Sequence, residues 1–524
     1  MNESSMELEN ATDVYAIHGA EPEVLAYAMA KYSRSALTLR ESLAEISSQK
    51  AEQFLNTFYF QYGHRSIADL AHIPMAIERL SLLAAIVLVD EQRWDGQERS
   101  TRYQDFTKSG WYTPQLGGQP GAQFSDHTDA YTDAIRALFA SYEKLGTGMV
   151  AALKAKIAKP AEMKQDAYDR TLKARAFDVA RYLLPLATNT SLGQIVNART
   201  LETQVSRLLT SEFAEVRTLG EKLRQAGTGA AWNAKDAAYR KAADGQESPL
   251  LDLATTPVRT APTLVKYAVA NEYQASTRTL LRQAAAELMQ GAKIAEAPVV
   301  DLVEDDARSK ASLELELAVS LLYPHCHFSY RQLRDAVSGL SGGRIAELIA
   351  TATRNRGRHD ELLRPFHAGA ALRFDILMDI GGFRDMHRHR RCTQLLQDFT
   401  DVHGYETPDA PGQPTLAEAG VAELYTDAMR GAYTAYEDIR VGGSEEANES
   451  AQYLLPLGTR CRAMFKMDFA EALYIAELRS GVAGHYSYRR VAWEMYLAVK
   501  RQHPGLAGLF RIDDVNVPVD LLRR

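Results

Sequence analysis

The sequence is poor in cysteine and has no long apolar run. Cys326, Cys392 and Cys461 are the three cysteines among 524 residues, too few and too scattered for a disulfide framework or a CxxC metal site, and they favour a reducing compartment. The longest uninterrupted apolar run, 82–89, has eight residues, whereas a transmembrane helix needs ~20. These absences exclude a disulfide-stabilised domain and a membrane span.

The sequence also lacks a signal-peptide pattern, a strong net charge and glycine-rich phosphate loops. Its first ten residues, MNESSMELEN, are acidic and polar, so we expect a cytoplasmic protein. A formal net charge of -7 gives no basic footprint for a nucleic acid polymer. No GxGxxG or GxxxxGK[ST] pattern occurs. The histidines beside Cys326 cannot easily face one ion, so no metal site is predicted.

What the sequence does contain is an internal repeat. ARYLLPLATNT at 180–190 matches AQYLLPLGTRC at 451–461 in seven of eleven positions, at an offset of 271. A second match joins QDFTKSGWYTP and QDFTDVHGYETP. Because a single domain has ~150 residues, we expect one domain written twice. The predicted boundaries are 13–225 for copy 1, 226–297 for a linker and helical bridge, and 298–524 for copy 2.

The opening of each copy predicts a strand followed by a helix. A short β-like run stands at 14–17 and at 299–303, and helical patterns follow at 22–33 and 312–322. Strands and helices are segregated along each copy rather than alternating. We therefore predict an α+β fold, with two tandem copies joined by a helical linker.

Two further segments carry structural predictions. In copy 1 the apolar stretch 72–89 contains β-branched residues and predicts a β-rich centre, followed by long helices. In the bridge, Leu264, Ala268 and Tyr273 recur roughly at helical spacing and predict a helical hairpin.

The densest cationic cluster lies in FRDMHRHRRCTQ of copy 2. Its basic residues are Arg384, His387, Arg388, His389, Arg390 and Arg391. Such a run repels itself unless an anion or carboxylates lie nearby. A solvated helix face is one interpretation, but the apolar FDILMDIGGF before it places the run beside a core element. Because arginine forks match phosphate oxygens, a phosphorylated ligand is the natural partner.

Copy 1 has a different cluster, WDGQERSTRYQDF, with Glu98, Ser100 and Arg102. Its alternative interpretation is a turn-capping serine with a surface arginine. Upstream, His64 and Ser66 belong to an H-x-S-x-x-D pattern, which is also typical of a helix-capping serine.

The repeated LLPL segment is preceded by a polar pair in each copy. Asp178 and Arg181 stand three apart in copy 1, and Glu449 and Gln452 occupy the same places in copy 2. At that spacing an intrahelical ion pair is the simple interpretation of the first pair.

These residues resemble the signature of the flavin-dependent thymidylate synthases, which methylate dUMP without a cysteine nucleophile. That signature combines H-x-S/T, RHR, S-x-R-Y, E/D-x-x-R-x-x-LPL, N-A-R and a late arginine. Copy 1 carries His64, Ser66, Glu98, Ser100, Arg102, Asp178, Arg181, Asn197 and Arg199. Copy 2 carries Arg388, His389, Arg390, Glu449 and Arg479.

The losses in the two copies are nearly complementary. Copy 1 has 90–92 (DEQ) in place of RHR, and its Arg207 lies one position off the late arginine. Copy 2 has Gln452 and Asp468 in place of Arg and Asn, and DFTD at 398–401 in place of S-x-R-Y. We therefore predict composite sites that take RHR and Arg479 from copy 2, and Glu98, Ser100, Arg102 and Arg181 from copy 1.

The resemblance implies FAD as cofactor, a dUMP-like nucleotide as substrate, and NADPH and methylenetetrahydrofolate as co-substrates. The flavin would be bound by His64, Ser66, Glu98, Asn197, Arg199, Arg388, His389 and Arg390. The nucleotide would be bound by Ser100, Arg102, Arg181 and Glu449, and Arg479 would act on the pyrimidine. Because the family is homotetrameric, a homodimer of two-copy chains would form a pseudo-tetramer with two intact sites. The alternatives are a homologue with another pyrimidine substrate or product, and a non-catalytic regulatory paralogue.

Overall fold

A computed structural model of the chain describes residues 14–17, 19–33, 35–45, 65–115, 125–303, 313–355, 363–366, 372–442, 445–508 and 510–522. Helices and two small sheets both occur in it, which confirms the predicted α+β class. Among the helices of these residues, none combines the length and the apolar character that crossing a bilayer requires.

The strands are β1 His72–Ser81, β2 Asp95–Glu98, β3 Asn189–Asn197, β4 Val300–Leu302, β5 Leu372–Asp379, β6 Thr393–Leu396 and β7 Arg460–Met467. The helices up to the bridge are α1 Pro22–Ala30, α2 Leu39–Glu45, α3 Leu82–Val89, α4 Ser125–Lys156, α5 Gln165–Ala180, α6 Ala198–Leu209, α7 Ala214–Thr228, α8 Asp236–Ala242, α9 Pro249–Thr255 and α10 Glu272–Leu288. The later helices are α11 Leu313–Leu322, α12 Tyr330–Ser338, α13 Gly342–Thr353, α14 Ile380–Met386, α15 Ala422–Gly442, α16 Glu445–Ala451, α17 Phe469–Ser480, α18 Tyr486–Gln502 and α19 Pro504–Ala507. Short 3-10 turns cover Lys31–Ser33, Arg65–Leu70, Arg181–Leu183, Tyr323–His325, Arg364–Phe366 and Gln452–Leu454.

The two sheets repeat one order of strands. The first has the order β1-β3-β2 and the second the order β4-β5-β7-β6. In the second sheet β5 pairs antiparallel with β7 from Leu372↔Met467 to Asp379↔Arg460, and β6 pairs antiparallel with the other edge of β7. The order β5-β7-β6 therefore corresponds to β1-β3-β2, with β4 added at one edge.

The two LLPL segments pair with each other around a local two-fold axis. Leu186 N donates to Leu455 O at 3.0 Å, and Leu457 N donates to Leu184 O at 2.9 Å. The prolines between them form an antiparallel bridge. At the sequence offset of 271, Leu457 is the counterpart of Leu186, and Leu455 is the counterpart of Leu184. Each hydrogen bond is therefore the equivalent of the other, and the repeat in the sequence is also a repeat in the structure.

The apolar segment 82–89 is a helix rather than a strand. Strand β1 ends at Ser81, whose hydroxyl accepts from Ala84 N at 2.9 Å and caps α3. Its counterpart Asp379 accepts from Gly382 N at 2.6 Å and caps α14, at an offset of 298. The predicted β-rich centre is therefore confirmed for β1 and wrong beyond it, because a capped helix start overrides the strand preference of β-branched residues.

The short runs predicted to open the two copies differ. β4 lies within 299–303, as predicted, and it pairs with β5 while Val300 and Leu302 are buried. Residues 14–17 form no strand, so that prediction is wrong. Val14 is 88% exposed, and its β-branched side chain therefore buries no surface against a sheet. The helical patterns that follow are confirmed as α1 and α11.

The bridge is helical, but not over the whole predicted stretch. Leu264 and Ala268 lie in turns, where the buried carboxylate of Glu23 accepts from Thr263 N at 2.8 Å and from Leu264 N at 2.6 Å. The helix predicted for them is wrong because these backbone amides are used by a carboxylate. Tyr273 lies in α10, as predicted, and α10 packs with α11, α12 and α13 in one hydrophobic core.

By packing, the chain divides into two compact units. Unit 1 contains Met1–Met75, Ile195–Val205 and Gly220–Val269, and unit 2 contains Ala76–Gln194, Ser206–Leu219 and Ala270–Arg524. Unit 2 includes parts of both copies and the paired LLPL segments. The boundaries 13–225, 226–297 and 298–524 stay predictions.

Candidate active site

The basic run of copy 2 begins inside α14 and turns away from the helix after Met386. The side chains of Arg384, His387 and His389 are 9%, 6% and 5% exposed. A solvated helix face is therefore the wrong interpretation for these three residues. The side chains of Arg388 and Arg390 are about one-third exposed.

Carboxylates of copy 1 meet this run. The buried Glu98, at the end of β2, forms a hydrogen-bonded ion pair with Arg384. Arg388 Nη2 lies 3.7 Å from Glu98 Oε2. Arg390 Nη1 donates to Asp95 Oδ1 at 2.9 Å, and its guanidinium lies 5.9 Å from the centre of the Trp94 ring. Carboxylates of copy 1 therefore balance part of the positive charge of copy 2 within one chain.

Arg102 is buried between the two copies. Its Nε donates to Asp178 Oδ1 at 2.9 Å, its Nη1 to the Tyr488 hydroxyl at 2.8 Å and its Nη2 to Ala483 O at 3.1 Å. Burial alone would lower the pKa of Arg102, but Asp178 raises it above its ordinary value. Ser100 Oγ accepts from Arg102 N at 3.2 Å. The turn-capping serine is thus confirmed, and the surface arginine is wrong.

Arg181 pairs across the copies rather than within its helix. Helix α5 ends one residue before Arg181, whose Nη1 donates to Asp385 Oδ2 of copy 2 at 3.1 Å. The intrahelical pair with Asp178 is therefore wrong, because Asp178 is engaged by Arg102. The Arg181 side chain is 1% exposed, and neither its Nε nor its Nη2 has a hydrogen-bond partner among the residues that the structure describes.

Asp385 stands where three guanidinium groups converge. Burial would raise its pKa, but Arg181, Arg102 and Arg479 together hold the pKa of Asp385 below its ordinary value. Asp385 is not among the predicted site residues, although an acidic residue within a run of basic residues indicates a possible ion-pair partner in the sequence. With Asp178, and with Asp379, whose charge also raises the pKa of Arg181, three carboxylates face the three arginines.

Arg479, at the end of α17, is held by an aromatic pair. Its Nε donates to His389 Nε2 at 2.8 Å, and its guanidinium lies 5.4 Å from the centre of the Tyr488 ring. Burial lowers the pKa of His389, so its neutral ring can accept this bond. Tyr488 is also not among the predicted site residues, because it belongs to none of the motifs in the sequence.

Copy 2 has a shorter loop where copy 1 carries S-x-R-Y. The amides of Arg99 and Gln397 each donate to the central strand of their sheet, at an offset of 298, whereas the carbonyls of Gly110 and Gly404 accept at an offset of 294. Copy 1 is therefore four residues longer between these points. The hydrogen bonds do not fix where in this loop the four residues are missing from copy 2, so the alignment of 398–401 with S-x-R-Y stays a prediction.

Several predicted site residues belong to unit 1. Asn197 Oδ1 accepts from Thr200 N at 2.8 Å and caps α6, as Asp468 caps α17 in copy 2. Arg199 Nη1 lies 3.2 Å from Asp69 Oδ2. Their predicted roles in flavin binding are not tested by these contacts.

Three other points complete the placement of the predicted residues. Ser66 lies in the turn Arg65–Leu70, and His64 lies outside the described residues. Glu449 is half-buried on α16. Within the part of the chain that the structure describes, no group of three His, Cys, Asp or Glu side chains could hold a metal ion.

A family model described as thymidylate synthase complementing protein matches residues 15–226 and 321–505. The UPF0159 protein of Chlamydia muridarum is 28% identical over 518 residues, which are 94% of this chain and 90% of that protein. The flavin-dependent thymidylate synthase of Sulfolobus acidocaldarius is 31% identical over 121 residues, 23% of this chain and 45% of that protein. A crystal structure of flavin-dependent thymidylate synthase ThyX from Helicobacter pylori, complexed with FAD and dUMP, is 16% identical with a TM-score of 0.26 and covers 40% of this chain and 89% of that chain.

Proposed function

Because the chain belongs to the thymidylate synthase complementing protein family, we propose that it is an FAD-dependent enzyme that reductively methylates dUMP to dTMP. Methylenetetrahydrofolate would supply the carbon, and NADPH the electrons. The active site is composite within one chain. Copy 1 supplies Glu98, Ser100, Arg102 and Arg181, and copy 2 supplies Arg388, His389, Arg390 and Arg479.

The observation that carries this proposal is the environment of Arg181. This buried guanidinium donates one hydrogen bond to Asp385, and two of its nitrogen atoms have no partner within the described part of the chain. An unpaired buried charged donor is costly, and a phosphate accepts two parallel N–H bonds from one guanidinium. The unpaired edge of Arg181 therefore fits the phosphate of a nucleotide.

The loop of copy 2 fits a flavin diphosphate. The carboxylate that pairs with Arg390 is Asp95, whose side chain is 79% exposed, and exposed ion pairs contribute only about 0–1 kcal/mol. Arg390 can therefore exchange Asp95 for phosphate oxygens at little cost. Bound and reduced FAD supplies the hydride for the reduction. The proposal also assigns His64, Ser66, Asn197 and Arg199 to flavin binding, and Glu449 to the nucleotide.

Arg479 is suited to the pyrimidine. Its bond to His389 and its contact with Tyr488 fix the plane of the guanidinium. A donor fixed in advance stabilises negative charge as it develops on a substrate ring, without reorganisation during the reaction. Electrostatics and positioning can then replace a cysteine nucleophile.

The proposed assembly is a homodimer that forms a pseudo-tetramer. Each chain would contribute one composite site, because the second combination of the two copies lacks the arginines. A dimer would therefore carry two active sites.

The test is FAD binding followed by turnover. The purified chain is expected to take up FAD and to release tritium from dUMP labelled at the reactive carbon of the ring, in the presence of methylenetetrahydrofolate and NADPH. It should also allow a thymidine-requiring host to grow without thymidine. Arg390→Ala is expected to weaken FAD binding, whereas Gln92→Ala, at the equivalent position of copy 1, serves as the matched control.

Two outcomes would contradict the proposal. A chain that takes up no FAD would favour a non-catalytic paralogue. A chain that binds FAD and oxidises NADPH, but leaves dUMP unchanged, would favour a homologue with another pyrimidine substrate or product.

A further inference from the structure

The local two-fold axis relates the composite site to a second place in unit 2, and that place contains a cavity. The cavity has a volume of about 450 Å³. Copy 1 contributes α3 and Arg207 to its wall, and copy 2 contributes Asp398 and Gln452. These are the elements that build the composite site, with the roles of the two copies exchanged.

The phosphate-binding groups are missing from this second place. By the offsets of 271 and 298, Gln452 stands where Arg181 stands in the composite site, and Val87 stands where Asp385 stands. The shorter loop of copy 2 provides no counterpart of Arg102. In addition, Glu212 and Asp398 line the cavity with carboxylates. A phosphate would therefore meet these carboxylates here. The guanidinium of Arg207, which also lines the cavity, has one nitrogen atom, Nε, without a partner among the described residues, whereas Arg181 has two.

The arginines in and around the cavity are balanced in number by carboxylates: Arg207, Arg278, Arg282 and Arg364 face Asp90, Glu91, Glu212 and Asp398. Arg282 binds Glu212 at 2.8 Å and Asp398 at 3.1 Å, and Arg364 forms an ion pair with Asp90. No excess positive charge is thus available among these groups for an anionic ligand.

The remaining wall is apolar and aromatic, with a few polar groups. Leu83, Phe213 and Phe383 line the cavity. Gln397 and His387 also line it. In the described ranges, Gln397 Oε1 and His387 Nε2 are buried and have no hydrogen-bond partner. An apolar cleft with few polar groups, in the volume range of roughly 300–1,000 Å³, is typical of small-molecule sites.

We propose that this cavity binds an uncharged, flat heteroaromatic molecule, namely a nucleobase or a nucleoside without phosphate. The apolar walls would bury the ring, and the amide and imidazole groups would bind its polar edge. The cavity would be a second ligand site, separate from the composite site and selective against nucleotides. This inference goes beyond the proposed catalytic function and does not require turnover.

The test is calorimetric titration of the purified chain with thymidine, deoxyuridine and deoxyadenosine, and with their monophosphates. At least one nucleoside is expected to bind one-to-one with a Kd below roughly 1 mM. Gln452→Trp, which fills the cavity, is expected to weaken that binding at least ten-fold. Arg181→Gln, in the composite site, is expected to leave nucleoside binding within two-fold while it weakens dUMP binding.

A second variant tests the charge argument independently of how well a large side chain is accommodated. Gln452→Arg is expected to add monophosphate binding at the cavity. The proposal is overturned if none of the nucleosides binds, if Arg181→Gln removes nucleoside and dUMP binding together, or if Gln452→Trp with an unchanged Tm binds the nucleoside as well as the original chain does.

Discussion

Arg181 of copy 1 donates to Asp385 of copy 2 at 3.1 Å, whereas the two-fold counterparts of these residues, Gln452 and Val87, can form no ion pair. The backbone at both places is repeated, as the interchanged hydrogen bonds of the LLPL segments show. The side chains at these positions differ, and the loop that carries Arg102 is four residues longer in copy 1. We therefore propose that one duplicated scaffold carries one nucleotide site and one site for an uncharged ligand.

Arg181→Gln gives the composite site the residue that copy 2 has at the equivalent position. We expect the dUMP affinity to fall by roughly ten- to a hundred-fold, because a hydrogen bond to a charged group contributes about 1.5–3 kcal/mol. Titration of dUMP into the FAD-loaded protein measures this change. Gln452→Ala is the matched control, and equal losses in the two variants would contradict the account.

Arg102→Ala should lower the free energy of unfolding strongly. The variant removes the buried guanidinium that binds the Asp178 carboxylate, and breaking a buried ion pair by removing one side costs about 3–5 kcal/mol. Arg136→Ala removes an exposed pair with Asp133 and should cost about 0–1 kcal/mol. Chemical denaturation compares the two variants, and a similar loss in both would show that Arg102 is not held as described.

The ion-pair partner of Arg102 illustrates which features of the structure can be predicted from the sequence and which cannot. The repeat, the fold class and the division of the signature between copies follow from residue identity and spacing. The sequence does not reveal that Asp178 binds Arg102 rather than Arg181, because three-residue spacing favours a local pair equally well. Nor does the sequence show that Ser81 caps a helix, α3, at the end of a stretch whose composition favours a strand. Both outcomes depend on contacts between segments far apart in the chain.

Arg479→Ala should lower kcat by roughly 100-fold or more, because a fixed donor to a developing charge contributes on that order. Arg391→Ala is the control within the same cationic surroundings, since its side chain is 70% exposed and pairs with the exposed Asp468. Steady-state kinetics with saturating dUMP distinguish the two. A normal kcat for Arg479→Ala, or an equal loss for Arg391→Ala, would argue against a catalytic role of Arg479.

Asp379→Asn should change the pH dependence of stability. Burial raises the pKa of Asp379 to about 6 from its ordinary value of 3.8, so the folded chain binds a proton that the unfolded chain has released. Ionisation of Asp379 therefore lowers wild-type stability as the pH rises from about 4 to about 7, by roughly 3 kcal/mol. The asparagine cannot ionise and escapes this loss.

The measurement is the difference in the free energy of unfolding between Asp379→Asn and the original chain at several pH values. That difference should grow in favour of the variant with rising pH, because the other titrating groups cancel. A difference that stays constant between about pH 4 and about pH 7 would show that Asp379 ionises normally.

In the proposed function, one chain contains one composite nucleotide site. Equilibrium titration of the FAD-loaded protein with dUMP, at a protein concentration well above Kd, counts the sites directly. We expect a stoichiometry of one dUMP per chain, and we expect the Arg181→Gln variant to lose this binding. Two dUMP per chain, or none, would contradict the proposal.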